Sequence, residues 1–393
     1  MKLPSRILAA AVLTALASSA HADIAIDVIG NTEVTFQGLM QADGNWFDND
    51  LQDLNGTTGN DGKDTEFELR RAEIVLNGKG VKWDWVAGYD AKANKFLDTN
   101  LRYKMGVQYL QLGQYKQPNS LEELTSTRHN DFISKSMTTN LFTVARRTGI
   151  AWGIDSPNNW GVTASAFGRE LTRNLAQGQG YGVRAYWAPV NEVMGGNTLH
   201  FGLSWVDFDS DFDTVRLRVR PDADFATARL VDTGDLRNTD RQTTIGAEGL
   251  WFHGPWRVQG EYMTSQVDRY STGVASQPSD DFKGDSWYVY GLWNITGETW
   301  TYKAGVPITG YPNDPGRGMW QVGVRYDTAD LTDDPVFGGD EENWTVGVNW
   351  YWRANFKLMA NYVMASSDKF NRALGRDISD DPNIFEMRAQ FYW

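Results

Sequence analysis

Hydrophobic and polar residues alternate along several segments of about ten residues, the pattern of a β-strand whose two faces meet different surroundings. In the last such segment, one face carries Phe385, Met387, Ala389 and Phe391, and the other carries Glu386, Arg388, Gln390 and Tyr392. The same alternation recurs over residues 199–205, 256–262, 320–326 and 344–352. Apolar residues outside and polar residues inside predict strands between lipid and a water-filled lumen, as in a transmembrane β-barrel.

A soluble β-sandwich is the alternative interpretation, because its strands alternate in the same way. The aromatic residues favour the barrel, since tryptophans gather at predicted strand ends as interfacial girdles require. These residues are Trp83, Trp85, Trp187, Trp205, Trp293 and Trp352. The connections also alternate between short turns, such as residues 253–255, and long polar loops, such as residues 207–242. This asymmetry is typical of outer-membrane barrels.

The first 22 residues have the features of a secretory signal. Lys2 and Arg6 form a basic start, an apolar stretch follows, and Ala20-His21-Ala22 fits a cleavage site. We therefore predict a signal peptide over residues 1–22 and one barrel domain over residues 23–393. Sharing that domain among 16 strands leaves about 23 residues for each strand with its connection, and a barrel of 16 or 18 strands encloses an aqueous channel.

Composition excludes several classes of protein. A mean hydropathy of −0.48, without an apolar run of about 18 residues, excludes a helical membrane protein. The chain has no cysteine, which excludes disulfides, Cys-ligated metal centres and a thiol nucleophile. It has 4 histidines and no nucleophile or metalloprotease motif, so we expect no enzyme, cofactor or metal. The net charge of −13 argues against nucleic acid as a partner.

Three segments carry basic residues that we expect to meet the lumen. Arg70-Arg71 lies in the strand predicted over residues 65–76, with Arg71 facing inward and Arg70 near the outer mouth. Their alternative role is to pair with nearby glutamates and solvate the wall. The segment Thr214 to Arg220 alternates Arg216, Arg218 and Arg220 with Val and Leu, which predicts a single-sign row that attracts anions. A charged edge strand is the alternative for that row.

The third segment is the long loop over residues 118–145, which contains many apolar residues for a solvated loop. We therefore predict that it folds inward onto the wall and narrows the channel. Lys116, Ser120 and Arg128 would then converge on a passing anion, because Arg offers a fork of donors, Lys a point charge and Ser a hydroxyl. Spacing alone favours the alternative, in which Arg128 is an ordinary loop charge.

The basic segments stand within motifs that resemble the phosphate-selective porins O and P, bacterial outer-membrane channels for phosphate and polyphosphate. The motifs are Arg70-Arg71-Ala72-Glu73, Gly88-Tyr89-Asp90, residues 113–124, Asn130-Asp131-Phe132-Ile133 and residues 144–149. The resemblance runs from about Val34 to Trp393 and is densest between Glu66 and Gly153. Its most specific part is the Lys-Gln-Pro…Leu-Glu-Glu-Leu stretch of residues 116–124.

The resemblance implies a homotrimer in outer-membrane lipid that takes up phosphate or polyphosphate. It also implies phosphate-binding or constriction residues, which are Arg70, Arg71, Asp90, Tyr109, Lys116, Ser120 and Arg128. The entrance row would be Arg216, Arg218 and Arg220, which Arg237 and Arg241 extend. The lysines of the periplasmic exit match only loosely, with Lys79, Lys82 and Lys104 as candidates.

Carboxylates leave a second function open. Aspartates flank the entrance row on both sides, and their density weakens an anion-attracting field. Glu73, Glu248 and Glu261 are predicted to face inward, and if they outweigh the arginines the barrel is a general or cation-preferring porin. The choice between phosphate and longer polyphosphates depends on the width of the neck and stays open.

Overall fold

The computed structural model describes residues 24–29, 32–56, 64–172, 178–192, 196–273 and 279–393. Sixteen antiparallel strands form one closed sheet, in which each strand pairs with its sequence neighbours and the last pairs with the first. The prediction of an all-β, 16-stranded barrel is therefore confirmed. The predicted signal peptide over residues 1–22 lies outside the described residues.

The sixteen strands are 8 to 17 residues long. They are β1 Thr32–Asp48, β2 Thr65–Lys79, β3 Trp83–Asp90, β4 Lys95–Met105, β5 Gln108–Lys116, β6 Arg146–Asp155, β7 Trp160–Phe167, β8 Gly180–Glu192, β9 Asn197–Asp209, β10 Thr239–His253, β11 Trp256–Arg269, β12 Phe282–Asn294, β13 Met319–Asp333, β14 Val336–Trp352, β15 Phe356–Asn371 and β16 Asn383–Tyr392. Two short strands, Ile24–Ile29 and Arg376–Asp380, pair with β1 and β15 beyond the two ends of β16.

The two ends of the barrel differ as the sequence predicts. One end carries long loops, of which the third (residues 117–145) and the fifth (residues 210–238) are the longest that the structure describes. The third loop contains helices α1 (Leu121–Leu124) and α2 (Met137–Phe142). The other end carries short turns, with one exception that the sequence did not predict. Residues 295–318 form a long connection with a two-stranded hairpin, Trp300–Lys303 paired with Val306–Thr309, which we name the inner hairpin.

The alternation of the strands places apolar side chains on the outer wall. On β16, Phe385 and Met387 are exposed to the outside, whereas Glu386, Arg388 and Gln390 are buried in the lumen. Aromatic pairs lie on the outer wall near the short turns. Trp256, for example, stacks on Trp293 with ring centroids 5.1 Å apart. The predicted faces of this strand are therefore confirmed.

No helix among the described residues combines the length and apolar character needed to cross a bilayer.

Three inserted segments fill half of the lumen. The third loop packs Met137, Leu141 and Phe142 against Val215, Leu217 and Val219 of the fifth loop and against the wall. Its Leu121 and Phe132 join Tyr288, Tyr290 and Leu292 of the wall and Trp300 and Tyr302 of the inner hairpin. These clusters lie against strands β9–β16, which we name the packed half. A passage remains along strands β1–β8, which we name the open half. The predicted infolding of the third loop is confirmed.

Candidate functional site

The third loop is held in the lumen by a buried carboxylate. The Glu261 carboxylate on β11 accepts hydrogen bonds from the backbone N–H of Leu121 (2.9 Å) and Glu122 (2.7 Å) and from the Ser120 hydroxyl (3.2 Å). The same hydroxyl accepts from Glu123 N–H at 3.1 Å and so caps α1. Ser120, nominated as a phosphate ligand, therefore lies fully buried as an anchor of the loop.

Basic side chains of the packed half anchor the next stretch of the loop. Arg388 donates to the carbonyl of Ile133 (2.7 Å), Arg325 to that of Ser134 (2.9 Å) and Lys357 to that of Asn130 (2.5 Å). Arg257 forms an ion pair with Asp131 at 2.9 Å. Because all four cations are buried and bonded to the loop, they position the neck and do not face the passage.

Three cavities mark the passage, one between the third and fifth loops and two along the open half. The entrance cavity, of about 130 Å³, lies under the fifth loop and is lined by Arg218, Arg220 and Arg229. The neck cavity, of about 250 Å³, is lined by Glu73, Lys116, Arg128 and Arg146. The inner cavity, of about 460 Å³, extends to the inner hairpin. The neck and inner cavities share lining residues, among them Asn77, Asp98 and Lys116.

Arg70 and Arg71 lie between the entrance and the neck. A β-bulge makes this possible, because Arg71 stands opposite Gln41 while Leu69 stands opposite Ala42, so that Arg70 is the extra residue. Both guanidinium groups consequently turn inward. Arg70 Nε donates to Asp224 of the fifth loop at 2.9 Å, and Arg71 donates to Gln41 at 2.7 Å and lies 3.5 Å from Glu73.

Lys116, Arg128 and Arg146 surround the neck. Lys116 donates to the carbonyls of Glu123 and Thr125, the second at 3.0 Å. Arg128 lies 3.3–3.4 Å from the carbonyl oxygens of Gly38 and Trp393, at the seam where the barrel closes. Arg146 forms a partly exposed ion pair with Asp98 at 2.8 Å. Sequence reasoning did not nominate Arg146, although it stands in the quoted motif of residues 144–149.

Glu123, a buried carboxylate of the third loop, lies between two lysines beside the neck. Glu123 forms an ion pair with Lys135 and lies 3.9 Å from Lys116. Burial alone would raise the pKa of the Glu123 carboxyl, but the charges of Lys135 and Lys116 outweigh burial and lower its pKa to about 2. Glu123 is therefore ionised at neutral pH.

The entrance row has the alternation that the sequence predicts. Val215, Leu217 and Val219 are buried, and Arg216, Arg218 and Arg220 are exposed on the other side. Arg216 forms a two-bond ion pair with Asp232 (2.8 and 2.6 Å), and Arg220 donates to the carbonyl of Ala226 at 2.6 Å. Arg229, which the sequence reasoning missed, joins Arg218 and Arg220 in the entrance cavity.

Asp224, one of the aspartates that flank the entrance row, is paired with arginines of the wall. Asp224 contacts Arg70 at 2.9 Å and Arg388 at 3.6 Å. Burial opposes its ionisation, yet the nearby arginines hold the pKa of the Asp224 carboxyl well below its usual range. Arg70 and the entrance therefore meet a permanent negative charge.

Two nominated residues lie away from the neck. The Asp90 carboxylate is buried and accepts from the backbone N–H groups of Ala72, Lys92 and Ala93, which fixes the turn after β3. Tyr109 lies in the inner cavity, where its hydroxyl lies 2.9 Å from that of Thr163. The candidate exit lysines gather near the turn after β2, with Lys79 exposed and Lys104 paired with Asp84 at 2.8 Å.

Two of the three inward carboxylates weighed for a cation-preferring channel lie in the packed half. Glu261 anchors the third loop, as described above. Glu248 accepts from Arg184 (2.9 and 2.5 Å) and lies 2.9 Å from His200. Glu73 alone of the three lines the neck, next to Arg71. Among the residues that the structure describes, no group of three His, Asp or Glu side chains is arranged to hold a metal ion.

Comparison with known proteins places this geometry among outer-membrane channels. The family described as "Phosphate-selective porin O and P" matches residues 40–393. Porin O of Pseudomonas aeruginosa is 26% identical over 94% of this chain and 92% of its own length. An uncharacterised protein of Caulobacter vibrioides is 27% identical over 75% of this chain and 62% of its own length.

Solved structures share the fold at low sequence identity. The anion-selective porin from Comamonas acidovorans superimposes with a TM-score of 0.57, at 11% identity over 92% of this chain and 100% of that one. OmpT of Vibrio cholerae in its trimer form superimposes with a TM-score of 0.56, at 12% identity over 92% of this chain and 99% of that one.

Proposed function

The chain belongs to the phosphate-selective porin O and P family, and on that premise we propose that it is a passive outer-membrane channel whose open half selects and conducts phosphate. The long loops then face the outside of the cell and the short turns face the periplasm. A phosphate ion would enter under the fifth loop, pass the neck beside the third loop and leave through the inner cavity.

The observation that carries this proposal is the succession of cations along one side of the lumen. Arg218, Arg220 and Arg229 line the entrance cavity, Arg70 and Arg71 stand at its junction with the neck, and Lys116, Arg128 and Arg146 line the neck. Guanidinium groups present parallel donors that match phosphate oxygens. At successive sites the anion exchanges one set of hydrogen-bond donors for the next, so donors of the protein continue to replace the water molecules that it has lost.

The carboxylate partners of these cations make the sites weak enough for release. Arg70, Arg71 and Arg146 each retain a partner, which is Asp224, Glu73 or Asp98. A passing anion competes with that partner and does not meet an isolated charge. Conduction requires such shallow binding, because a site that holds phosphate tightly would block the channel.

We also propose that the channel is a homotrimer. The shared fold with OmpT, of which a trimer form is known, supports this assembly, as does an apolar outer wall that can bury either lipid or a neighbouring subunit. The mass of the detergent-solubilised protein, corrected for bound detergent, should be about three times that of one chain by light scattering. A mass of one chain would contradict the trimer and leave the channel proposal intact.

Ion currents through planar bilayers test the channel proposal. In a chloride gradient we expect a reversal potential on the anion side, and millimolar phosphate should reduce the chloride current. Arg71→Ala should raise the half-blocking phosphate concentration about tenfold, which is the effect of one charge-assisted hydrogen bond. The matched control is Arg317→Ala, because Arg317 is exposed in the connection after β12 and pairs only loosely with Asp314.

An unselective or cation-side potential without phosphate block would contradict the proposal. The protein would then be a general porin, in which Asp224, Glu73 and Asp98 cancel the arginines of the passage.

A further inference from the structure

The inner cavity differs from the two cavities before it in size and in chemistry. Its volume of about 460 Å³ compares with about 250 Å³ at the neck and about 130 Å³ at the entrance. Small-molecule sites begin at about 300 Å³. The inner cavity therefore exceeds what an inorganic phosphate ion requires and has room for an organic group attached to it.

The guanidinium group of Arg102 lies on one wall of this cavity and is only partly hydrogen-bonded. Arg102 lies over the ring of Tyr109, 4.1 Å from its centroid, and donates to Gln111 at 2.9 Å. Among the described residues, no carboxylate forms an ion pair with Arg102 or with Lys79 at the cavity mouth. The carboxylates that line the cavity have other partners: Asp84 pairs with Lys104, Asp98 with Arg146, and Asp155 accepts from Tyr186. The hydrogen bond from Tyr186 leaves the charge of Asp155 in place. The lining carries four basic side chains, Lys79, Arg102, Lys116 and Arg184, against three carboxylates, so positive charge is in excess by one.

Amides and aromatic rings complete the lining. The side-chain amide nitrogen of Asn77 is buried and has no hydrogen-bond partner in the described part of the chain. Asn77 lies where the neck and inner cavities meet, and Asn100 and Gln111 line the same cavity. Asn100 donates to the carbonyl of Gln114 and Gln111 accepts from Arg102, both at 2.9 Å, so of these three amides that of Asn77 has the unpartnered donor. Amides and phenol rings recognise sugar hydroxyls and sugar faces, and a buried donor without a partner costs free energy until a ligand accepts from it.

Two glycines make room for the rings. The ring of Tyr109 lies against Gly153 and that of Tyr186 against Gly161, where a Cβ atom would stand only 2.3 and 2.4 Å from ring atoms. Any larger residue would push the ring into the cavity. The wall is therefore shaped so that both rings lie flat and the cavity stays wide.

We propose that the inner cavity is a second solute site that binds phosphate monoesters of small sugars. Arg102 and Lys79 would hold the phosphate group, and Asn77 with the other amides would hold the sugar hydroxyls. This inference rests on the proposed function, because it assumes a conducting phosphate channel, and it adds a class of organic substrate and a site that the neck does not provide.

Current block by three solutes tests the inference on the reconstituted channel. Glucose 6-phosphate, inorganic phosphate and glucose are added to each side in turn while chloride current is recorded. Glucose 6-phosphate should block at a concentration about tenfold below that of inorganic phosphate, as one or two added hydrogen bonds would give. Glucose alone should not block.

Variants separate the inner cavity from the neck. Asn77→Ala should raise the half-blocking concentration of glucose 6-phosphate about fivefold, the effect of one neutral hydrogen bond, and should raise that of inorganic phosphate less, because Asn77 also borders the neck. Arg102→Gln should weaken the sugar-phosphate block about tenfold through the lost charge. Arg317→Gln, outside every cavity described, is the control. Phosphate block that is retained in each variant also shows that the barrel has folded.

Each remaining outcome has a distinct meaning. Phosphate block without any preference for glucose 6-phosphate overturns this inference and leaves the proposed function standing. A sugar-phosphate block that responds to Arg71→Ala but not to Arg102→Gln places the ligand in the neck and also overturns it. Equal block by glucose removes the phosphate part of the inference. Absence of block by all three solutes overturns the proposed function itself.

Discussion

The packed half and the open half of the lumen are built from the same kinds of side chain, and they differ in how completely those side chains are bonded. Arg388 in the packed half has 1% of its side chain exposed and makes two bonds to Asp43 and one to the third loop. Arg71 in the open half has 20% of its side chain exposed, donates to Gln41 and lies 3.5 Å from Glu73. We therefore expect spare donor capacity, and not the presence of an arginine, to distinguish a transport site from a structural one.

The two halves also depend on each other. The neck has its width because buried cations of β11, β13, β15 and β16 hold residues 130–134 of the third loop. Buried ion pairs add little stability over apolar packing, but losing one partner is costly because the other charge stays buried. The packed half thus provides a rigid support, and the open half provides exchangeable contacts.

Arg388→Ala should have the largest effect on stability. It leaves Asp43 buried without its two-bond partner, and we expect a loss of about 3–5 kcal/mol in the free energy of unfolding. Urea unfolding of the barrel in lipid vesicles measures this loss. Arg146→Ala is the matched comparison, since its pair with Asp98 is partly exposed and should cost no more than about 1 kcal/mol. Equal losses of unfolding free energy in Arg388→Ala and Arg146→Ala would contradict the distinction between the packed half and the open half.

Arg146→Ala should have the reverse profile in transport. The neck loses one cation that can donate to phosphate, and we expect the half-blocking phosphate concentration to rise about tenfold. Titration of phosphate into chloride current measures it, with Arg146→Lys as the variant that keeps the charge. If phosphate blocked the chloride current of Arg146→Ala at the parent concentration, Arg146 would have a structural role like that of Arg388.

Asp224→Asn should increase anion selectivity moderately. Asp224 is charged throughout the physiological range, and its removal leaves Arg70 at the entrance without its ion-pair partner. We expect the anion-to-cation permeability ratio to rise about two- to threefold in dilute salt and to approach the parent value in about 1 M salt. Reversal potentials at the two salt concentrations provide the measurement. A fall in the ratio would mean that Asp224 matters chiefly by holding the fifth loop.

Acidification should have the smallest effect, because the buried carboxylate of the third loop stays ionised. The folded-state pKa of Glu123, about 2, lies below its unfolded value of about 4.3, so its contribution to stability is complete above the unfolded pKa and is lost as pH falls toward 2. The contribution of Glu123 to the free energy of unfolding, measured with urea as the difference between the parent protein and Glu123→Gln, should therefore change little between pH 8 and pH 5. A change in this difference above pH 5 would contradict the lowered pKa of Glu123.

The sequence predicted the barrel and the infolded loop from repeated patterns. The length of the chain limited the strand number to 16 or 18, and the family resemblance implied 16. Strand alternation sums over many residues, and the apolar content of residues 118–145 is incompatible with a solvated loop. The alternating Arg216, Arg218 and Arg220 were likewise predicted to share one side of an extended segment.

Features that depend on one irregularity were not predictable. The extra residue at Arg70 turns both arginines inward, whereas strict alternation places only Arg71 in the lumen. Trp300 and Tyr302 alternate like any short strand, so nothing in the pattern shows that their hairpin enters the barrel. Ser120 and Asp90 were nominated as site residues from a motif, and hydrogen bonds from the backbone account for both. Whether any nominated residue binds phosphate remains a prediction.

The barrel wall holds residues 130–134 of the third loop chiefly through hydrogen bonds to their backbone carbonyl groups. The carbonyl oxygens of Asn130, Asp131, Ile133 and Ser134 each accept from a side chain of the wall. A carbonyl is present whatever residue occupies the position, so this attachment does not itself depend on which side chains the stretch carries. The neck is instead lined by the side chains of Ser126, Thr127 and Arg128, which precede the attached stretch. Evolution and protein engineering can therefore change what this pore discriminates at these positions, while the attached stretch and the barrel stay as they are.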